Sequence, residues 1–273
     1  MISPTFFANY EYEVDELRCD TRVLQEATAD AHRSFHVSLH HDQTVMEPDT
    51  MLTENGKPMK VFTPYHRAWL AEVKYNPRLL GTVPAPSRNS ADATKTLHQL
   101  CDSKPPTPPK EKQFADESER KRIRSLWPAG HGAAVQRLKH FLTDKIGGYA
   151  ATRSNPAQDS TSRLSAYFAA RVLSVRETLS AVRRVNKGSD FSQSGSSYGI
   201  ASWVREIVFR ELYRQSTLTT PHTAMSLPQN LKFDFVHWED DQEGYDRWER
   251  GTLGVPFVDT GMRQIKHEAY IAQ

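Results

Sequence analysis

Apolar positions follow two different spacings along the chain. Near the N-terminus, a short apolar run at Thr5–Asn9 and an alternating run at His36–His40 predict strands, with a helix over Glu11–Ala31 between them. Thr44–Met46 is a candidate third strand. A parallel sheet needs more strands than these and helices on its faces, so the pattern predicts the end of an α/β domain whose first strands are missing.

Helical spacing dominates after Trp127. It predicts helices over Ala133–Ile146, Tyr198–Gln215 and Gly261–Tyr270. The helix over Tyr198–Gln215 is predicted to bury one apolar face, formed by Ile200, Val204, Ile207, Val208 and Leu212. Because the sequence stops at Gln273 without a cap, we expect a helical domain that is incomplete at its C-terminus.

Proline, serine and small polar residues separate the two parts. Before them, Val61–Leu70 is typical of a helix start, with Thr63 as N-cap and Pro64 at the first helical position. From Asn76 the composition predicts an extended, hydrated linker. We therefore expect three regions, at residues 1–75, 76–125 and 126–273.

Composition narrows the classes of protein. The 273 residues carry 35 basic and 33 acidic side chains, so the net charge of +2 identifies no partner. Cys19 and Cys101 are far apart and are predicted to be free thiols in a reducing compartment. His36 and His40 alternate on a strand with no cysteine near them, so no metal site is expected. Without a signal peptide or a run of about 20 apolar residues, the sequence predicts a soluble intracellular protein.

A hydroxyl-rich segment is the first candidate for chemistry. Thr161, Ser162 and Ser165 stand just before an apolar helical pattern, where unpaired N–H groups and a positive dipole end suit a phosphate. Ser174 with Glu177 forms a capping box for a second helix. The alternative is two ordinary N-caps in a row.

A second face of the Tyr198–Gln215 helix is the other candidate. It combines aromatic rings with a carboxylate and a guanidinium in Trp203, Glu206, Phe209, Arg210 and Tyr213. Such a face suits a pocket wall that stacks a flat ligand and bonds its polar edge. A domain interface with a buried ion pair explains it equally well. Since no Walker loop, dinucleotide fingerprint or nucleophile elbow occurs, we expect chemistry carried by a cofactor.

Six motifs follow one another along nearly the whole chain, and they are Asn9–Arg18, Lys60–Tyr65, Thr161–Tyr167, Arg210–Tyr213, Val236–Trp238 and Trp248–Asp259. They are similar to those of the photolyase/cryptochrome family, most of all the class I DNA photolyases that repair cyclobutane pyrimidine dimers. The resemblance implies a mixed fold: a remnant of a Rossmann-like α/β antenna domain, a long linker and an incomplete, mostly α-helical FAD-binding domain. It also implies a monomer that acts on UV-damaged DNA.

The resemblance implies a role for each candidate residue. Contacts with FAD fall to Tyr149, Thr161, Ser162, Arg163, Leu164, Ser165 and Trp203. Contacts with DNA fall to Arg153, Glu206, Arg210 and Tyr213. Glu206 resembles the carboxylate that bonds the dimer, Phe209 stands where a tryptophan stacks on it, and Trp238 resembles the outermost tryptophan of a flavin-reducing chain. Asp15 and Glu16 match positions that touch a folate antenna, with a deazaflavin as the other antenna.

Two departures from the family pattern bear on function. Phe209 keeps a stacking ring but loses area and an N–H, and Arg171 replaces a glycine, where it either crowds the cofactor or points outward. The expected function is light-driven, FAD-dependent repair of pyrimidine dimers in the nucleus, or in mitochondria, of a eukaryote, with the chain inactive alone. The alternatives are a cryptochrome-like blue-light signalling protein without repair activity and a gene fragment that does not fold.

Overall fold

The computed structural model describes residues 5–29, 36–84, 87–88, 91–92, 95, 106–188, 190–195 and 197–271. Within them the chain is mostly helical, with one small sheet near the N-terminus. Cys19 is an exposed free thiol, and Cys101 lies outside the described residues.

The N-terminal sheet has two parallel strands. β1 (Thr5–Asn9) pairs with β2 (His36–His40), so that Thr5 lies opposite His36 and Asn9 opposite His40. Helix α1 (Val14–Ala29) connects them, as a parallel pair requires. Both strands and the helix were predicted, although α1 begins three residues later than expected.

The segment Thr44–Met46, which follows the sheet, is buried but is not a strand. The prediction of a strand over Thr44–Met46 is wrong, because its backbone groups bond to side chains of distant helices instead of a neighbouring strand. Helix α2 (Phe62–Tyr75) follows, with Val61 at its N-cap. The predicted cap Thr63 therefore lies inside the first turn.

In the rest of the described chain, the regular secondary structure is helical. Its helices are α3 (Glu117–Leu126), α4 (His131–His140), α5 (Tyr149–Thr152), α6 (Ser165–Ala169), α7 (Val175–Val185), α8 (Tyr198–Thr219), α9 (Gln242–Arg250) and α10 (Pro256–Glu268). The helix predicted over Ala133–Ile146 is divided, because a wide π-helical turn at Phe141–Lys145 follows α4. Ser174 caps α7 by accepting from the Arg176 N–H, whereas Glu177 bonds His131 rather than completing the capping box.

Helix α8 is the centre of the core. Its predicted apolar stripe is buried at all five positions, which are Ile200, Val204, Ile207, Val208 and Leu212. At its start, a methyl group on Gly199 would overlap the carbonyl oxygen of Ile146, so two backbones touch there. The core also includes Trp69 of α2, Leu179 of α7 and Leu80, which lies in the region predicted to be a linker.

Two charged side chains join the N-terminal part to the helices. Glu211 of α8 is fully buried and accepts from the backbone N–H groups of Val45 (2.7 Å) and Met46 (3.0 Å). Arg176 of α7 donates to the carbonyl oxygens of Thr44 and Val45, both at 3.1 Å. The segment therefore has its donors bound by a carboxylate and its acceptors by a guanidinium, which replaces the strand pairing it lacks.

Candidate functional site

An open cavity of about 950 Å³ lies between α8 and the residues from α5 to α6. The predicted site residues that line it are Tyr149, Arg153, Thr161, Ser162, Arg163, Leu164, Ser165, Trp203, Glu206, Phe209, Arg210 and Tyr213. These residues come from separate stretches of sequence, so their convergence was not built into any one motif. The pocket-wall interpretation of α8 therefore has a geometric basis.

The inner end of the cavity is aromatic. Tyr149 and Trp203 are almost completely buried, and both pack on Phe141, at ring-centroid distances of 5.8 and 5.4 Å. Burial raises the pKa of Tyr149 to about 12, so its phenol is neutral at physiological pH. This end of the cavity suits a flat, largely apolar group.

An ion pair crosses the cavity wall. Arg153 of the α5 end donates from Nη1 to Oε1 of Glu206 on α8. Burial would lower the pKa of Arg153, but the hydrogen bond and charge of Glu206 outweigh it, so the pKa is raised. Both side chains are about 30% exposed, at 31% and 29%, so a polar ligand can reach them. Glu206 of the predicted pocket wall is thus paired with an arginine from outside α8, in a partly exposed ion pair that differs from the buried pair of the alternative interpretation.

The hydroxyl segment is less regular than predicted. A helix does begin at Ser165, but α6 has only five residues, so its dipole is weak and adds little to a phosphate site. The hydroxyl side chains of Thr161, Ser162 and Ser165 nevertheless line the cavity. Thr161 Oγ1 lies 3.0 Å from the Tyr270 hydroxyl, and in the described part of the chain the hydroxyls of Ser162 and Ser165 have no side-chain partner.

Arg163 is engaged within the protein. Its guanidinium pairs with Asp159 (3.1 Å) and Glu268 (2.9 Å) and lies over the Tyr270 ring. Its backbone has φ of 50°, in the left-handed region. We conclude that Arg163 shapes the segment and offers little free charge to a ligand.

Phe209 belongs to an aromatic stack. Its ring lies parallel to that of Phe62 from α2, with centroids 3.3 Å apart and an angle of 5°. Arg205 lies over both rings, at 5.3 Å from Phe62 and 5.7 Å from Phe209. Phe209 lines the cavity and Phe62 does not, so Phe62 covers the ring from behind.

The other two residues of this face differ in exposure. Arg210 donates to the carbonyl oxygen of Gln43 (2.9 Å) and lies over the Phe168 ring, and burial lowers its pKa. Tyr213 is 66% exposed at the cavity mouth. The Tyr213 ring stacks on Phe209, with centroids 6.2 Å apart, and its exposed part can meet a large partner, while Arg210 already binds the N-terminal segment.

Three predicted site residues lie elsewhere. Trp238 is 85% exposed and does not line the cavity. Asp15 and Glu16 are in the first turn of α1, where Asp15 pairs with Arg18 at 3.0 Å. Arg171, whose direction was open, pairs with Glu11 instead of lining the cavity.

Sequence reasoning missed part of the lining. Glu13 and Arg214 form an ion pair at one side, and Tyr270 and Ile271 close another. The pair joins residues far apart in sequence, and no local spacing signals it. Within the described residues, no group of three or more potential ligands could hold a metal, and no helix is long and apolar enough to cross a bilayer.

Comparisons with known proteins agree on one family. Residues 4–87 match the model described as DNA photolyase, and residues 203–273 match the FAD binding domain of DNA photolyase. The deoxyribodipyrimidine photo-lyase of Neurospora crassa is 30% identical over 266 residues, which cover 97% of this chain and 43% of that protein.

Solved structures share the fold. A bacterial class III photolyase from Agrobacterium tumefaciens superposes with a TM-score of 0.71 at 24% identity, covering 98% of this chain and 52% of that one. A cryptochrome from Synechocystis gives the same TM-score of 0.71 at 18% identity, with the same coverage of 98% and 52%. The chain thus spans about half the length of the proteins it matches, with 43% of the Neurospora protein and 51% of the Escherichia coli photo-lyase covered.

Proposed function

Because the chain belongs to the DNA photolyase family, we propose that it carries part of the site of a light-driven, FAD-dependent lyase that repairs cyclobutane pyrimidine dimers in DNA. One observation carries this proposal: the predicted cofactor residues and the predicted lesion residues share the same cavity. In a eukaryotic cell, its DNA substrate would be nuclear or mitochondrial.

The residues present suit FAD. Hydroxyls of Ser162 and Ser165 are available to a pyrophosphate, and Tyr149 and Trp203 offer an aromatic inner end. FAD supplies the light-driven electron when it is bound. The chain's own part is to hold it through Thr161–Ser165, Tyr149 and Trp203, and to keep water from the buried end.

The residues proposed to contact the damaged DNA have different roles, which follow from their side-chain chemistry. Glu206 bonds the polar edge of the extruded pyrimidine dimer, and Arg153 orients that carboxylate through their ion pair. Phe209 supplies the stacking surface, backed by Phe62. Arg153 and Tyr213 contact the DNA around the cavity mouth, which positions the substrate without reading its sequence.

The N-terminal part is proposed as the remnant of a Rossmann-like antenna domain. Parallel β1 and β2 with α1 between them, and the match over residues 4–87, support this. We keep the regions 1–75, 76–125 and 126–273 as proposed boundaries. Asp15 and Glu16 would contact a folate antenna, while the exposed ring of Trp238 suits the outer end of an electron-transfer chain.

Binding of damaged DNA tests the proposal with the residues present. The purified chain, supplied with FAD, should bind a duplex containing one thymine dimer more tightly than the undamaged duplex. Glu206→Gln keeps the shape but loses the charge, so we expect this preference to fall about tenfold, as for one charge-assisted hydrogen bond. Equal affinity of the unmodified chain for the two duplexes would contradict the proposal, whereas dimer loss under blue light is not expected of the chain alone.

Blue-light signalling without repair is a second candidate function. The replacement of the family's tryptophan by Phe209 favours it, since the smaller ring offers a dimer less stacking area. Glu206, with its accessible oxygen in the cavity, favours repair. FAD retention without any preference for the damaged duplex would support signalling.

A further inference from the structure

Glu211 accounts for an unusual share of the buried polar contacts. Its Oε1 accepts from Met46 N (3.0 Å), the Tyr65 hydroxyl (3.2 Å) and Trp69 Nε1 (3.0 Å), and its Oε2 accepts from Val45 N (2.7 Å). Every partner is a donor, as an ionised carboxylate requires. Burial nevertheless raises its pKa, against the lowering effect of these donors.

Two of those partners fix helix α2 against helix α8. Tyr65 and Trp69 are one turn apart on α2 and are completely buried, so the carboxylate sets both the rotation and the height of α2. Gln215 adds a second contact from α8, donating to the Tyr65 hydroxyl at 2.8 Å.

The same helix pair carries the aromatic stack. Phe62 lies one turn before Tyr65 on α2, and Phe209 lies two residues before Glu211 on α8. A shift of α2 along α8 would therefore displace Phe62 from the back of Phe209, whose front lines the cavity.

We infer that Glu211 is a positioning residue for the cavity, because it holds α2 against α8 and thereby sets the plane of the Phe209 ring through Phe62. This inference rests on the proposed function for its importance to the lesion, but its structural part can be tested without any ligand. Glu211 lies outside the cavity lining, so it acts only through these rings.

The direct test is a fluorine NMR measurement on the full chain with 4-fluorophenylalanine at position 209. Stacking on Phe62 should shift the resonance by its ring current, and Phe62→Leu defines the value without a stack. Glu211→Gln should move the resonance most of the way to the Phe62→Leu value, since an amide places an NH₂ against at least one donor. An unmoved resonance would overturn the inference.

Asp259→Asn is the matched control. Asp259 is also a buried carboxylate that accepts two backbone N–H groups, from Leu253 (2.8 Å) and Gly254 (3.0 Å), but it lies on α10. Its variant should leave the resonance of position 209 in place. A shift equal to that of Glu211→Gln would show a general loss of packing and overturn the specific role.

Two further measurements keep the test decisive. If Glu211→Gln does not fold, Tyr65→Phe removes one of the four donors to Glu211, together with the acceptor of Gln215, and should give a smaller shift in the same direction; no shift would overturn the inference. With DNA, Glu211→Gln should lower the preference for the dimer-containing duplex about fivefold, a stacking-sized effect, and Asp259→Asn should not. Absence of preference in the unmodified chain refutes the proposed function alone, whereas an unchanged preference in Glu211→Gln refutes the role of Glu211.

Discussion

Two glutamates of α8, five positions apart, show how the surroundings divide structural from ligand-binding work. Glu211 is 1% exposed and has four donors, so nothing else can bond it without dismantling the core. Among the described residues, Glu206 has one hydrogen-bond partner, Arg153, and it faces an open cavity. A carboxylate that is fully satisfied stabilises the fold, and one that is partly satisfied remains available to a substrate.

Removing each carboxylate should separate the two roles most sharply. Glu211→Ala leaves buried donors without acceptors, at ~1–3 kcal/mol for each, so we expect the free energy of unfolding to fall by more than ~3 kcal/mol. Glu206→Ala should lower it by less than ~1 kcal/mol, because the ion pair is partly exposed. Urea denaturation followed by circular dichroism measures both, and equal losses would remove the distinction.

Arg176 of α7 and Arg153 in the cavity wall should differ in the same way, the first affecting stability and the second affecting binding. Arg176 donates to Asp42, Leu79, Thr44 and Val45, so Arg176→Met should cost ~2–3 kcal/mol of unfolding free energy. Arg153→Met should cost less than ~1 kcal/mol but weaken DNA binding and its dependence on salt. If Arg153→Met proves the more destabilising in urea, the cavity is part of the structural core.

Loss of the Phe209 ring should affect binding more than folding. Phe209→Leu keeps an apolar side chain of similar bulk but removes the stacking surface, worth about 1–3 kcal/mol per base. We expect at least about fivefold weaker binding of the dimer-containing duplex, measured by fluorescence anisotropy. Val208→Ala is the control, at a buried neighbour on α8 that does not line the cavity, and a similar loss there would point to packing instead of stacking.

The smallest expected effect concerns pH. Burial, and secondarily Arg205, lowers the pKa of His66, which stacks on Phe62. A depressed folded-state pKa gives stability that is present above the unfolded value of ~6.5 and is lost as pH falls through the folded value. Unfolding free energy should therefore decline by less than ~1 kcal/mol from pH 7 to 5, the half-buried ring being screened by solvent. His66→Asn should flatten this slope, and an unchanged slope would assign it to other groups.

The sequence pattern predicted helices that need only an apolar surface to pack on. It missed features that depend on contacts with residues far away in the sequence. The five apolar positions of α8 are buried as periodicity indicates, since a helix needs only one apolar surface to pack on. The same periodicity treats Glu211 as a polar interruption, because its partners lie 142–166 residues away. The strand predicted at Thr44–Met46 failed for the same reason.

The residues of the candidate site could be predicted where they belong to sequence motifs that resemble those of the family. Tyr149, the Thr161–Ser165 segment and the second face of α8 were assembled by the fold in one cavity. The Phe62 ring behind Phe209 and the Tyr270 contact with Thr161 required the tertiary structure, because no spacing rule relates them. The short helix α6 could not be foreseen either, since the left-handed backbone of Arg171 (φ of 56°) follows its end.

The contact at Gly199 gives the cavity two ends of different stiffness. Where α8 touches the carbonyl of Ile146, main chain meets main chain, and Tyr149 and Trp203 both extend from that crossing. The width of the inner end is therefore set by a contact between two backbones, while the outer end depends on the rotamer of the exposed Tyr213. The cavity would thus hold the buried ring of a ligand rigidly and adjust to its outer parts. Related ligands should therefore be accepted when they differ at the outer end and excluded when they differ at the inner end.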